Sequence, residues 1–481
     1  MPSMPAEDVA APGAGLRRRP GPRRIRRRAS KGSEMATTAS PMSWTNWGRN
    51  QSVYPRRVEK VTSARDVAAV ITDAIRRGQR VKAVGSGHSF SAIAVPSDVQ
   101  IRLEADGAPV GIDARTGLAE VPAGLELHRL NRLLWKSGLS MQNLGDIDAQ
   151  TVAGAISTGT HGTGARKQGL AAQVRRLEMV LGSGDIVTCS PEQNPDLFGA
   201  ARVGLGALGV MTRVTLQCEP AYYLQAAEEG MPLDEVLHRL DELVDTPDHF
   251  EFFWFPHTSI ALTKRNTRLA SPPAVTRSAR RASVDSLVQN GIHGLSCRAG
   301  RRLPGQVPKL NQWLAANAWP AHYADASYEV FTSSRRVRFV ETEYAIPRGA
   351  IREALSRVRR LTETCARDVT FPLEVRFAAA DDIPLSTAFG RDSAYIAAHV
   401  YRGQPHQAYF EAFEAVMNDY GGRPHWGKLH NQAASTLRAR YPLFDQFLAV
   451  RDAADPAGIF RNPYLDRVLG VSASGDIRRA G

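Results

Sequence analysis

The sequence predicts an α+β protein, and three observations predict it. Apolar residues at helical spacing over 63–77 run into a β-branched segment at 81–84, a strand–helix–strand order ending in a glycine turn. The segments 175–181 and 185–188 flank Gly182-Ser183-Gly184 and read as a hairpin. Beyond 219 the two periodicities keep alternating over about 200 residues, with no repeat of 20–50 residues.

Taken in order, Ser63 is placed to cap the first helix, with Asp66 as the capping-box acid. Val67, Val70, Ile71, Ala74 and Ile75 supply its apolar face. A second helix is expected over 125–137, stopped by Gly138. A strand over 207–218 leaves a glycine-rich turn, and composition shifts at Glu219-Pro220. An amphipathic helix over 233–244 precedes a strand over 251–256 with four aromatics in six residues. The basic, aperiodic stretch 272–283 reads as a surface loop. Strands follow over 335–345, 371–377 and 393–401, and helices over 351–365 and 407–419. The end, 433–469, is mostly helical with a break at 455–458.

A chain of 481 residues, 43% hydrophobic and 23% charged, suits a globular protein of two or three domains. No apolar run of about 18 residues is present. Cys189, Cys218, Cys297 and Cys365 form no Cys-x-x-Cys pair, so neither a zinc site nor a disulfide framework is expected, and a reducing, cytoplasmic setting is. Of the net charge of +13, +6 falls within the first 34 residues, nine basic against three acidic. That leader, 1–42, is rich in Pro, Gly, Ala, Ser and Arg and is expected to be disordered, with Met35 or Met42 as an alternative start. It lacks the apolar stretch of an export signal. A nucleic-acid-binding protein acting through this leader is the rival of another class; the mildly basic body argues against it.

Chemistry is expected at four places. The first is Gly85-Ser86-Gly87-His88-Ser89-Phe90, a strand end where backbone can approach a ligand closely. Phe90 stands where a nicotinamide-dinucleotide fingerprint has its third glycine, so that motif is excluded. The second is 154–164, Gly-Ala-Ile-Ser-Thr-Gly-Thr-His-Gly-Thr-Gly. Its bare backbone and the hydroxyls of Ser157, Thr158, Thr160 and Thr163 suit a pyrophosphate. A third glycine turn spans 204–209. The third place is the strand carrying Glu374 and Arg376, two apart and therefore on one face, where they form either an oriented pair or a surface ion pair. The fourth is Arg423-Pro-His-Trp-Gly-Lys428. His425 and His430 are five apart rather than four, and no metal site is expected.

These stretches occur in a fixed order, together with Val-Ala-Gly at 152–154, Ala-Arg-Val-Gly-Leu-Gly-Ala-Leu-Gly-Val at 201–210, Phe-Phe-Trp-Phe-Pro-His at 252–257, Gly-Arg-Asp-Ser at 390–393 and Gly-Gly at 421–422. As a set the chain resembles the FAD-linked sugar-lactone oxidoreductases of the vanillyl-alcohol-oxidase type, the group of the L-gulono-1,4-lactone, D-arabinono-1,4-lactone and alditol oxidases. The resemblance covers about 44–469.

The resemblance implies a two-subdomain FAD-binding domain (PCMH type) over 43–219, an α+β cap over 220–434, a C-terminal return to the FAD domain over 435–471 and a tail over 472–481. It implies FAD held by Gly85, Ser86, Gly87, His88, Ser89, Gly145, Ser157, Thr158, Gly159, Thr160, His161, Gly162 and Gly209, with a covalent bond from His88 to the flavin 8α-methyl. Glu374, Arg376 and Lys428 match substrate-site residues, and His399 matches an alditol-oxidase histidine. The implied reaction is hydride transfer from a carbinol carbon to flavin N5. Lys428 or His399 takes the hydroxyl proton, Arg376 stabilises the oxygen, and Glu374 orients Arg376. Gly145 aligns with a family position that governs oxygen access, which favours O2 as acceptor, giving H2O2, over another acceptor. Asp146 departs from the serine of the alditol type, so lactones are preferred over polyols. Membrane association is left open.

Overall fold

The structure is a computed structural model that describes residues 43–276, 279–317 and 320–471. The leader at 1–42 and the tail at 472–481 lie outside the described residues.

Strands Arg57–Val61 and Val81–Ala83 flank Val99–Leu103 in a parallel sheet. Parallel strands need a crossover, and helix Ala64–Arg76 supplies it, started by the Ser63/Asp66 capping box. Its Val67, Ile71 and Ala74 pack with Val81, Val99 and Ile101, and the distant Ile459 and Phe460 complete this core. An antiparallel sheet follows, in the order Ile186–Cys189, Val174–Val180, Val210–Gln217, Leu118–Pro122, Gly111–Asp113. The expected hairpin is its edge. Helix Leu127–Lys136 ends at Gly138, which takes a left-handed φ of +74°.

An eight-stranded antiparallel sheet lies wholly between 223 and 424. Its order is Ala321–Ala326, Tyr223–Pro232, Ile260–Arg268, His249–Trp254, Leu373–Ala378, Ser393–Tyr401, Phe339–Pro347, Arg423–Pro424. One face is apolar. Phe250, Phe252, Val375, Phe377, Ile396, Val400 and Tyr344 pack there with helices Ile351–Cys365 and Gln407–Asn418. The other face is polar yet also buried: Glu251, Glu341, Glu343, Glu374, Arg376 and His399 are each less than 10% exposed. Helices Phe444–Ala454 and Pro463–Leu469 place Phe444, Phe447, Leu465 and Val468 in the core that contains the antiparallel-sheet residues Val121 and Val214.

Three expectations need correction. The helix expected over 233–244 is two short helices, Leu233–His238 and Leu240–Asp245, separated at Arg239, whose φ/ψ of −91°/14° leaves the helical region. The loop expected over 272–283 gives way at Ala279 to helix Ala279–Arg302, which carries little apolar periodicity. Helix Val307–Ala316 was not anticipated either. The glycine–threonine stretch is not all loop: its first four residues belong to helix Val152–Ser157, capped by Thr151, whose hydroxyl accepts from Gly154 N–H.

Candidate active site

A cavity of about 650 Å³ lies between the parallel and five-stranded sheets. Gly85, Ser86, Gly87, His88 and Ser89 form one wall, and Gly154, Ser157, Thr158 and Gly209 another. Gly124 and Thr151, which sequence reasoning did not single out, also line it. The glycines are sterically required: a Cβ on Gly85 would lie 2.3 Å from Thr151 Oγ1, and Gly87 has φ of +71°. Backbone thus faces the cavity at short range with hydroxyls beside it, which fits a dinucleotide's diphosphate.

The rest of the glycine–threonine stretch turns away. Gly145, Gly159, Thr160, His161 and Gly162 do not line this cavity. Gly145 packs on Thr160 and His161, where an added Cβ would stand 3.2 Å from each. Thr160 accepts from Gln150. His161 stacks on Tyr395 at 3.7 Å and places Nε2 3.1 Å from Glu343. Gly164 N–H donates to Phe377 O at 2.8 Å. One segment therefore starts in the cavity wall and finishes on the sheet.

His88 is held at the cavity's end by an N-terminal strap. Trp47 N–H donates to Gly87 O, Asn46 to Ser89 O and Asn50 to Phe90 O. Phe90 N–H donates to Gly427 O, which ties the turn to the Lys428 loop. Burial, then Lys428 and Arg338, push the His88 pKa down to about 4, so its imidazole is neutral at pH 7. A neutral imidazole is the nucleophilic form.

Register assembles the polar sheet face. Glu374 and Glu343 both oppose Ala397, and Glu341 opposes His399. Arg376 Nε donates to Glu251 at 2.9 Å, and Nη2 contacts Glu374 and lies 3.4 Å from Asp146. Three carboxylates from three separate segments thus share one guanidinium, whose pKa stays well above its ordinary value despite burial. Burial pushes the Glu374 carboxyl up. Arg376 pulls it back while Asp146 and Glu251 push it further, and it rests at about 7. Glu374 Oε1 contacts the Arg376 guanidinium, and Oε2 lies 3.9 Å from His399 Nε2.

Lys428 Nζ lies 2.5 Å from Glu341 and 3.8 Å from Glu343. Burial opposes its charge, but these two carboxylates hold its pKa above the ordinary lysine value. His399 places Nε2 3.5 Å from Glu341 and 3.9 Å from Glu374. Burial again opposes, and Glu341 outweighs it, so the His399 pKa is raised. The face therefore collects all four predicted residues, Glu374, Arg376, His399 and Lys428. It adds Glu251, Glu341 and Glu343, which the sequence reading did not single out, and Asp146, which that reading used only to favour lactones over polyols. For Glu341 and Glu343 the signal was a carboxylate at every second place in an otherwise apolar strand, Phe-Val-Glu-Thr-Glu-Tyr at 339–344.

His161, Glu343 and His425 bring ligand-type atoms within 4.8 Å of one another. The group is closed by its own bonds, since His161 and Glu343 pair and His425 Nδ1 accepts from Gly427 N–H. With the Lys428 ammonium beside Glu343, the positive charge a metal would bring is already present.

Comparison with known proteins bears on the same residues. The D-arabinono-1,4-lactone oxidase family matches 214–468, and the FAD binding domain family matches 55–190. An L-gulono-1,4-lactone dehydrogenase of Mycobacterium tuberculosis (strain ATCC 25618 / H37Rv) is 45% identical over 427 residues, 89% of this chain and 99% of the relative. The L-gulonolactone oxidase of Bos taurus is 35% identical over 436 residues, 89% and 98% of the two chains. An alditol oxidase of a Streptomyces species is 31% identical over 437 residues, 88% and 98%. Among solved structures, a cholesterol oxidase from B. sterolicum superposes with a TM-score of 0.76 at 18% identity, over 89% and 96% of the chains. The last likeness is one of fold. With the cavity and the buried polar face in place, the chain belongs to the D-arabinono-1,4-lactone oxidase family, FAD-dependent oxidoreductases of the vanillyl-alcohol-oxidase fold type.

Proposed function

We propose that the protein oxidises a sugar-1,4-lactone of the D-arabinono or L-gulono kind, and that one observation carries this reading. A buried Glu374–Arg376 ion pair lies on a sheet face joined by a single segment, 154–164, to a dinucleotide-sized cavity. In this reading 43–219 and 435–471 hold FAD, attached through His88, and 220–434 presents the substrate. Bound FAD supplies the hydride acceptor.

The protein's own groups do the rest. Arg376 donates to the carbinol oxygen and stabilises it as it loses its proton, held in aim by Glu251 and Asp146. Glu374, with its carboxyl near neutrality, receives that proton. Lys428 is held charged by Glu341, so it donates a hydrogen bond to the lactone rather than accepting the proton, while Glu341 raises the His399 pKa. Covering both faces of the sheet keeps water from these charges. His399 beside Lys428 also supports an alditol reading. Sugar lactones and alditols offered without oxygen, with flavin absorbance followed, separate the two: bleaching by polyols but not lactones overturns the lactone assignment. A yellow pellet after acid precipitation tests the His88 bond. Peroxide formation tests O2 as acceptor. Among the described residues no helix is long and apolar enough to cross a membrane.

A further inference from the structure

Asp146 carries two guanidinium groups. Its Oδ1 lies 3.4 Å from Arg376 Nη2, and its Oδ2 accepts from Arg335 Nη2. Burial opposes the charge on Asp146, and Arg376, then Arg335, hold its pKa well below the ordinary carboxylate range. Asp146 therefore stays an acceptor, with one fork on each of its oxygens. Arg335 also interacts electrostatically with Glu374. Exposure rises along this line of contacts: the Arg376 and Glu374 side chains are 9% exposed, Asp146 20% and Arg335 36%. Arg335 is thus the solvent end of a line that starts at the reactive pair.

The segment that bears Arg335 is fixed on both sides. Residues 332–338 join helix Ser327–Phe331 to strand Phe339–Pro347. Ser333 N–H donates to Asp146 O at 2.9 Å. Asn290 donates to Ser334 O and accepts from Arg336 N–H, each at 3.0 Å. Among the described residues, Arg335 Nε and Nη1 make no hydrogen bond. A guanidinium has five N–H groups, so most of this fork is left to donate. Two other cations flank the carboxylates around Arg376. Lys264 lies 3.9 Å from Glu251 Oε1, but its ammonium donates to Val330 O at 3.0 Å and also faces Glu228. His399 lies 3.9 Å from Glu374, with Nδ1 3.1 Å from Pro372 O. Neither brings a planar fork with open donors to the exposed edge.

We propose that Arg335 determines specificity by donating to the carbonyl oxygen of the lactone, the group that sets a sugar lactone apart from a polyol. The proposal rests on the reading of the protein as a lactone oxidoreductase. A carbonyl oxygen accepts hydrogen bonds and donates none, so the carboxylates of Asp146, Glu251 and Glu341 cannot hold it. Arg376 takes the carbinol oxygen, and Arg335, on the same aspartate, offers a second planar donor beside the first. A ring without the carbonyl leaves those donors unmatched, and a site built to bond a group rejects the analogue that lacks it.

The test uses the FAD-loaded protein and two ligands of one ring: the sugar-1,4-lactone, and the 1,4-anhydroalditol of the same configuration, a cyclic ether without the carbonyl. The lactone KM is read from flavin bleaching without oxygen, and the anhydroalditol Ki from its competition with that bleaching. Arg335→Gln should raise the lactone KM about 10-fold or more, the scale of losing a hydrogen bond from a charged donor. The bleaching rate at saturating lactone should stay within about 2-fold, as for lost uniform binding, and the anhydroalditol Ki should not move. Arg335→Lys keeps the charge without the fork and should recover only part of the loss. The exposed neighbour variant Arg336→Gln should behave as wild type. A fall in the saturating rate with KM unchanged would make Arg335 a prop for Asp146 and Arg376 and overturn the carbonyl contact. Equal weakening of both ligands in Arg335→Gln, or equal binding of the two by the wild type, would overturn it as well. Absence of lactone bleaching in the wild type instead overturns the proposed function itself, and this inference with it.

Discussion

The 650 Å³ cavity and the polar sheet face approach each other at His88 and Lys428, yet they are made of opposite materials. The cavity wall is rich in glycine, alanine and serine, and three short segments supply most of it. The face is built from long charged side chains on strands from 249 to 401, joined by Asp146 and Lys428 from loops. A backbone cradle works because neighbours in sequence are neighbours in space. A charge network works because strand register brings distant residues together, and it exists only in the folded state. The first should fail by exclusion, the second by loss of geometry.

The largest expected effect sharpens the second half. Arg376→Lys keeps the charge but removes the fork that reaches Glu251, Glu374 and Asp146 together. Anaerobic flavin reduction by lactone should slow by roughly 10²–10³-fold, the scale of losing a transition-state donor, with FAD content unchanged. A near-normal rate would remove Arg376 from the chemistry.

Next comes the first half. Gly85→Ala places a Cβ 2.3 Å from Thr151 Oγ1, an overlap that backbone must relieve. FAD content of the purified protein should fall, and the double variant Gly85→Ala/Thr151→Ala should restore much of it. If the single variant keeps its full FAD content, close approach at Gly85 is not what shapes the wall.

This difference also explains what could be read in advance. The turn at 85–89 and the hydroxyls of Ser157 and Thr158 were legible because their chemistry is local. Glu374 and Arg376 were legible because a strand puts alternate residues on one face. Glu251 sits in Phe-Glu-Phe-Phe-Trp, where it reads as one polar residue in an aromatic strand; only pairing His249–Trp254 with Leu373–Ala378 brings it to Arg376. Lys428 was a candidate base only through the family resemblance. Glu341, 87 positions earlier, makes it a fixed cation instead. The helix Ala279–Arg302 escaped because it carries little apolar periodicity and exposes Ile292 and Leu295.

A smaller effect is expected from Glu251→Gln. Arg376 keeps Glu374 and Asp146 but loses the charge that holds Nε. The rate of flavin reduction should drop by about 10-fold, a charge-assisted hydrogen bond weakened to a neutral one, with KM little changed. A loss as large as that of Arg376→Lys would mean that Glu251 itself handles substrate.

The subtlest prediction concerns proton linkage at Glu374. Its folded pKa of about 7 lies above the ordinary carboxyl value of 4.5. Between these two values the folded state keeps a proton that the unfolded chain has released. Stability from this group is therefore full below about pH 4.5 and declines as pH rises toward 7. Glu374→Gln cannot release a proton, so the fall in Tm between pH 5 and 8 should flatten by a few degrees, roughly 2–4 °C for each kcal/mol of linkage. Catalysis has the opposite sign, because the group must be unprotonated to accept a proton. Wild-type flavin reduction should rise through about pH 7 and lose that limb in the variant. A stability profile that flattens while the catalytic limb persists would move the proton acceptor away from Glu374 and leave it a positioning carboxylate.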